Sequence, residues 1–203
     1  MTYRGMIAEL VTITGDKGDK IEAYYARPSG PGPFPGVVLI HHMPGWDEWT
    51  TEVCNKFAQH GYAAIAPNLY FRESGNSPDD QAAKARAAGG MHDDQVMGDV
   101  KGAQEFLRAQ ANSNGKAGVI GFCSGGRHTY LAACTVPGFD AAVDCWGGRV
   151  IMADAAIDGG LIVDPLPAVV QDKIRAMIPF AGTRNPIDTT AQMVNDITLV
   201  SKC

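Results

Sequence analysis

The chain has 203 residues, enough for one domain with a full core and short for two. Its 45% hydrophobic and 19% charged residues and its net charge of −5 give no electrostatic reason to expect nucleic acid or an anionic membrane as a partner. No stretch approaches the roughly 20 apolar residues that span a bilayer, and Met1 to Leu10 carries Arg4 and Glu9 in place of a signal-like apolar run.

Alternation around Ile7 to Ile13 and Lys20 to Ala26 predicts two strands joined at Gly15-Asp16-Lys17-Gly18. Pro28 to Gly36 reads as a rigid connection. Gly36 to Ile40 is a short, continuous apolar run, as expected of a strand buried on both faces of a parallel sheet. Trp49 to His60 has helical spacing and stops at Gly61. Tyr62 to Pro67 is the next strand, Ser74 to Gly90 a polar surface excursion with some helix, and Asp94 to Ala111 an amphipathic helix. Lys116 to Phe122 is another buried strand, followed by a helix over Ser124 to Ala133. Ala141 to Trp146 and Ala176 to Ala181 are later strand candidates. Alternating strands and helices imply an α/β fold with a mostly parallel central sheet and helices on both faces. With no repeat or linker, residues 1–203 read as a single domain.

The segment Gly121-Phe122-Cys123-Ser124-Gly125-Gly126 lies between the most apolar strand and a helix. It fits G-x-S-x-G with cysteine in place of serine. A nucleophile on a sharp strand-to-helix turn needs glycines two residues to either side, where a Cβ would clash. The helix N-terminus favours a thiolate, and the Ser124 backbone N–H faces a developing oxyanion. The alternative is a buried cysteine in a glycine-rich turn; the position between strand and helix favours the nucleophile. Cys54, Cys134 and Cys145 read as packing residues, and Cys203 is terminal. Five cysteines without CxxC or regular spacing fit reduced thiols in a cytoplasmic protein.

Acyl transfer needs a second oxyanion donor, and Ile40-His41-His42-Met43-Pro44-Gly45-Trp46 follows an earlier strand at the right place. Met43 is the candidate, because Pro44 has no N–H. His41 and His42 are adjacent and point to opposite sides of an extended segment. His42 is expected to face the site and His41 the core. No third histidine or carboxylate follows at a ligand-like spacing, so no metal is expected. His60 and His92 read as solvated, and His128 as structural.

Ser113-Asn114-Gly115-Lys116 with Val119 to Gly126, Gly61 to Tyr70, and Cys145-Trp146-Gly147-Gly148 resemble the corresponding motifs of dienelactone hydrolases, also called carboxymethylenebutenolidases. The resemblance covers roughly residues 5 to 150. It implies an α/β-hydrolase fold, no cofactor, and hydrolysis of a small lactone or ester through a Cys-His-Asp triad. It also implies three departures. His42 stands where the family commonly has a glutamate that meets the resting thiol, leaving His42 as a base or a hydrogen-bond partner of Cys123. Ungapped matching puts Asn185 at the triad-acid position, with Asp188 the nearest carboxylate. No histidine follows His128, so the C-terminal strand and helix, with the loop carrying the family histidine, are expected to be missing.

Two explanations stay open: a shortened form of a longer enzyme, or a divergent hydrolase that uses His42. The reading is therefore a cysteine hydrolase with Cys123, His42 and Asp188 catalytic and Met43 and Ser124 as oxyanion donors, working as a monomer or homodimer. The competing reading is a catalytically impaired or non-catalytic binding protein on the same fold. Asp79, Asp80, Asp93 and Asp94 read as solvated surface, and Arg72, Arg86 and Arg127 as alternatives for meeting a substrate carboxylate. A phosphate-binding loop at Gly121 to Gly126 fails, since neither nucleotide-loop pattern is satisfied.

Overall fold

The computed structural model describes residues 5–147 and the backbone of residues 198–200. Strands β1 (Met6–Thr14) and β2 (Lys20–Pro28) form an antiparallel hairpin with Ile13 opposite Ile21. They are joined where the sequence places the turn, through a short 3₁₀ turn at Asp16–Gly18. Then follow β3 (Phe34–Ile40), α1 (Glu48–Gln59), β4 (Ala63–Pro67), α2 (Pro78–Ala87) and α3 (Asp93–Ala109). After these come β5 (Ser113–Phe122), α4 (Ser124–Thr135), β6 (Ala141–Cys145) and a short β7 (Thr198–Val200).

The sheet order is β1-β2-β4-β3-β5-β6-β7. The four central strands, β4-β3-β5-β6, are parallel, and the pairings outside them are antiparallel. The continuous apolar runs of β3 and β4 follow from burial on both faces. Val37, Leu39, Ala64 and Ala66 pack with Cys54 and Ala58 of α1, while Val38, Ile40 and Ile65 pack with Val96, Val100, Ala103 and Leu107 of α3. Strand β7 was not anticipated from its sequence, and the expected strand at 176–181 lies outside the described residues.

One buried ion pair ties the hairpin to the helical layer. Asp99 of α3 is fully buried; it accepts the Asp16 N–H at 2.8 Å and two bonds from the Arg72 guanidinium at 2.8 and 3.1 Å. Arg72 Nε also donates to Asp19 at 2.7 Å. Among the described residues no helix is long and apolar enough to cross a membrane.

Candidate active site

The parallel strands β3 and β5 are neighbours, with Ile40 opposite Gly121. Two residues beyond these partners stand His42 and Cys123, so both leave the same edge of the sheet side by side. Cys123 has φ 55 and ψ −116, a left-handed conformation that costs a non-glycine residue roughly 1–3 kcal/mol and clusters at functional sites. The corner is held on both sides. The Cys123 N–H donates to the Cys145 carbonyl at 2.8 Å, and its own carbonyl accepts from Gly126 and Arg127 at 3.0 and 3.3 Å.

The flanking glycines answer to close contacts. A Cβ at Gly121 would overlap the Gly125 carbonyl and come 2.6 Å from Thr129 Oγ1. At Gly125 it would overlap the Ile40 carbonyl and lie 2.7 Å from that of His41. At Gly126 it would overlap the Asp144 carboxylate. Cys123 is half-buried, whereas Cys54 and Cys145 are buried. Burial pushes the Cys145 thiol up to about 11, with the Asp144 charge adding to the shift.

Residues 42–45 form a turn closed by the Gly45 N–H on the His42 carbonyl at 2.9 Å. The Met43 carbonyl accepts from Tyr70 Oη at 2.9 Å, which fixes the peptide plane. Among the described residues neither the Met43 nor the Ser124 backbone N–H has a hydrogen-bond acceptor.

The two adjacent histidines have different surroundings. His41 is fully buried against the edge of Tyr70, with ring centroids 4.7 Å apart. Its Nδ1 donates to the His42 carbonyl at 2.9 Å, and burial pushes the imidazole down to about 4. His42 is half-buried. Its Nε2 lies 2.8 Å from Asp47 Oδ2, and its ring stacks on Trp49 at 4.7 Å and 26°. Trp49 in turn meets the edge of Phe122, the residue before Cys123, at 4.9 Å.

Sequence reading missed Asp47. Its signal is a helix cap: Asp47 precedes α1 and accepts from the Thr50 N–H at 3.0 Å and Thr50 Oγ1 at 2.9 Å. Burial works to raise its carboxyl, but the hydrogen bonds from His42 and Thr50 hold it below the usual carboxylate value.

Asp93 needs correcting. Instead of solvated surface it forms a bidentate pair with the buried Arg127, at 2.6 and 2.9 Å, and lies 3.3 Å from Nε2 of the buried His128. The partner has been buried in α4, and a buried cation draws a carboxylate to itself. Arg127 and Arg72 thus have carboxylate partners, while Arg86 is exposed on α2. His60 and His92 are exposed. Asp188 and Asn185 lie outside the described residues.

Beneath the elbow, Asp144 of β6 is fully buried. Its Oδ1 accepts the Gly147 N–H at 2.8 Å, and its Oδ2 has no hydrogen-bond partner among the described residues. Burial raises this carboxyl to about 7, against the lowering effect of the Gly147 bond. Among the described residues no cluster of His, Cys, Asp or Glu could hold a metal ion. A groove of about 290 Å³ runs along β3, β5 and β6 by Phe57, Lys116 and Asp140; Cys123 and His42 are not part of its lining.

Residues 21–162 match the family described as "Dienelactone hydrolase family". The chain belongs to the dienelactone hydrolase family. Among relatives, a Salmonella typhi protein named "Putative carboxymethylenebutenolidase" is 34% identical over 155 residues, covering 74% of this chain and 56% of that protein. A Pseudomonas putida "Carboxymethylenebutenolidase" is 30% identical over 134 residues, covering 63% and 56%. A solved structure titled "Putative Dienelactone Hydrolase", from Klebsiella pneumoniae, superposes with a TM-score of 0.63 at 32% identity, over 71% of this chain and 61% of that one. The fold is that of the α/β-hydrolases. The chain spans about half the length of the curated relatives it matches. The family match takes in β2 to β6, with the elbow and the His42 turn, and ends before Asn185 and Asp188.

Proposed function

We propose that the chain is a hydrolase of a small lactone or carboxylic ester, with Cys123 as nucleophile. The observation that carries this is the left-handed Cys123 at a glycine-packed corner beside the His42–Gly45 turn. In the proposed cycle His42 takes the proton of the Cys123 thiol as the sulfur attacks the carbonyl carbon. The negative charge on the carbonyl oxygen is met by the Met43 and Ser124 N–H groups, which have no other acceptor among the described residues. Collapse breaks the bond to the leaving oxygen, which receives the proton from His42, and a thioester remains. Water then gives a proton to His42 and attacks the thioester; the sulfur departs and recovers that proton. The net change is ester plus water to acid plus alcohol. The family supports the lactone or ester class.

The test is hydrolysis of an activated aryl ester with mass mapping of the alkylated thiol. Cys123→Ala is expected to lower turnover on the order of 10³-fold or more. Hydrolysis that persists unchanged in Cys123→Ala refutes the proposal.

A further inference from the structure

We infer that the buried His41 is a positioning residue for the oxyanion site: its ring holds the His42–Met43 peptide so that the Met43 N–H faces the carbonyl oxygen under attack. This rests on the cysteine-hydrolase reading above. It concerns the donor side of the reaction only, whichever group serves as base.

The His42 carbonyl and the Met43 N–H belong to one peptide. That carbonyl accepts two hydrogen bonds, from His41 Nδ1 at 2.9 Å and from the Gly45 N–H at 2.9 Å. A carbonyl can only accept, so Nδ1 carries the hydrogen and the ring is the Nδ1–H tautomer. In a planar trans peptide the C=O and N–H point in opposite directions. His41 is fully buried, so a carbonyl turned to its ring sends the Met43 N–H away from the core. There it meets no acceptor among the described residues. Two donors on the carbonyl also polarise the peptide, which strengthens its N–H toward negative charge.

The fold alone does not require this imidazole. The Gly45 N–H already satisfies the His42 carbonyl, and His41 Nε2 is buried without a hydrogen-bond partner among the described residues. A leucine would fill the space without burying an unpaired nitrogen. A half-satisfied polar group in a core calls for a reason beyond packing, and directing the peptide supplies one.

The ring is also held in place. Tyr70 packs edge-on against it with centroids 4.7 Å apart, and Tyr70 Oη donates to the next carbonyl, that of Met43, at 2.9 Å. The backbone of His41 abuts the start of α4, where a Cβ on Gly125 would lie 2.7 Å from the His41 carbonyl. Ser124, whose N–H is the second donor, opens that same helix. Both donors are therefore set against His41, one through its ring and one through its backbone. Burial keeps the imidazole neutral down to about 4, so the Nδ1 hydrogen is retained at neutral pH without added charge.

The experiment compares His41→Leu, which deletes the donor, with His41→Asn, whose amide places an N–H where Nδ1 stood. Acylation of Cys123 by an activated aryl ester is read as the burst of aryl alcohol over a range of ester concentrations. Deleting an oxyanion donor outright costs about 10²–10³-fold, and a misdirected donor loses less, so the saturating rate of His41→Leu should fall about 10-fold. The half-saturating ester concentration should stay within about threefold, since the ground state does not use this donor. His41→Asn should recover most of the rate. The melting temperature of His41→Leu should not fall, because no buried group loses its last partner. The ¹⁵N spectrum of His41 should place the hydrogen on Nδ1. If Cys123→Ala loses the burst while His41→Leu keeps its rate within about twofold, the His41 assignment is overturned and the cysteine reading stands. A His41→Asn variant as slow as His41→Leu overturns it equally. A burst absent from the unmodified protein, or persisting in Cys123→Ala, removes the cysteine reading and this inference with it. Should His41→Leu not fold, the tautomer in the unmodified protein decides: a hydrogen on Nε2 overturns the assignment, and one on Nδ1 upholds it.

Discussion

Asp144→Asn tests the electrostatic cost built in beneath the elbow. The Asp144 carboxyl is fully buried, accepts one hydrogen bond, and titrates near 7 against an ordinary value of 3.8. The difference is roughly 3 pH units, and each unit corresponds to about 1.4 kcal/mol, so the ionised carboxylate costs about 4 kcal/mol of folding free energy. Between about pH 4 and pH 7 the folded protein holds a proton that the unfolded chain has released. This group therefore lowers stability as pH rises through that window, and its effect is flat on either side.

Asparagine keeps an acceptor for the Gly147 N–H and removes the charge. It also puts an amide NH₂ where Oδ2 has no partner among the described residues, at a cost of about 1–3 kcal/mol. Asp144→Asn should accordingly be less stable than the unmodified protein at pH 4 and more stable at pH 8, each by about 1–3 kcal/mol. Urea unfolding followed by circular dichroism at both values measures this. The comparison between variants matters because His41, held neutral by burial down to about 4, produces an opposing slope. Acid protonates His41 more readily in the unfolded chain, so its contribution is lost as pH falls from 6.5 toward 4, and it cancels in the difference. A stability difference that stays constant within 1 kcal/mol from pH 4 to pH 8 would refute the argument.

Gly125→Ala places a methyl group between the start of α4 and the end of β3, against the carbonyls of Ile40 and His41. Backbone atoms cannot rotate away as a side chain can, so unfolding free energy should drop by about 3 kcal/mol. Ester turnover should fall with it, since the two strand ends are pushed apart; a variant within 0.5 kcal/mol in urea and with full turnover would show that the corner has slack. Asp99→Ala removes the carboxylate that serves Asp16 and Arg72 together. Its expected cost is about 3–5 kcal/mol, read as a lowered urea midpoint.

What could be read from the sequence followed from local rules. The strand-to-helix corner at Cys123 was legible because a short apolar run ending in glycine, followed by helix-forming residues, has few other solutions. The opposite fates of His41 and His42 followed from the alternation of an extended chain. Asp47 was not legible as an acid, because its short distance to His42 depends on the 42–45 turn folding the chain back, and the residue has its own local explanation as a helix cap. Asp93 was misjudged for a related reason. Its partner Arg127 is 34 residues away, and a helix-start aspartate looks the same in sequence whether it meets water or a buried guanidinium. Asp144 sits inside an apolar strand pattern that gives no hint of an unpartnered carboxyl.

The placement of the three tryptophans makes the protein its own optical probe. Trp46 donates from its indole to the Ala66 carbonyl, Trp49 stacks on His42, and Trp146 lies 6.0 Å from Phe122. All three follow the C-terminal ends of parallel strands or open the helix beside them, so ultraviolet emission comes from the rim around Cys123. Trp49 and Trp146 are more than a third exposed, which leaves them open to quenching by a small solute. Occupancy of that rim can therefore be titrated on the unlabelled chain, without any turnover.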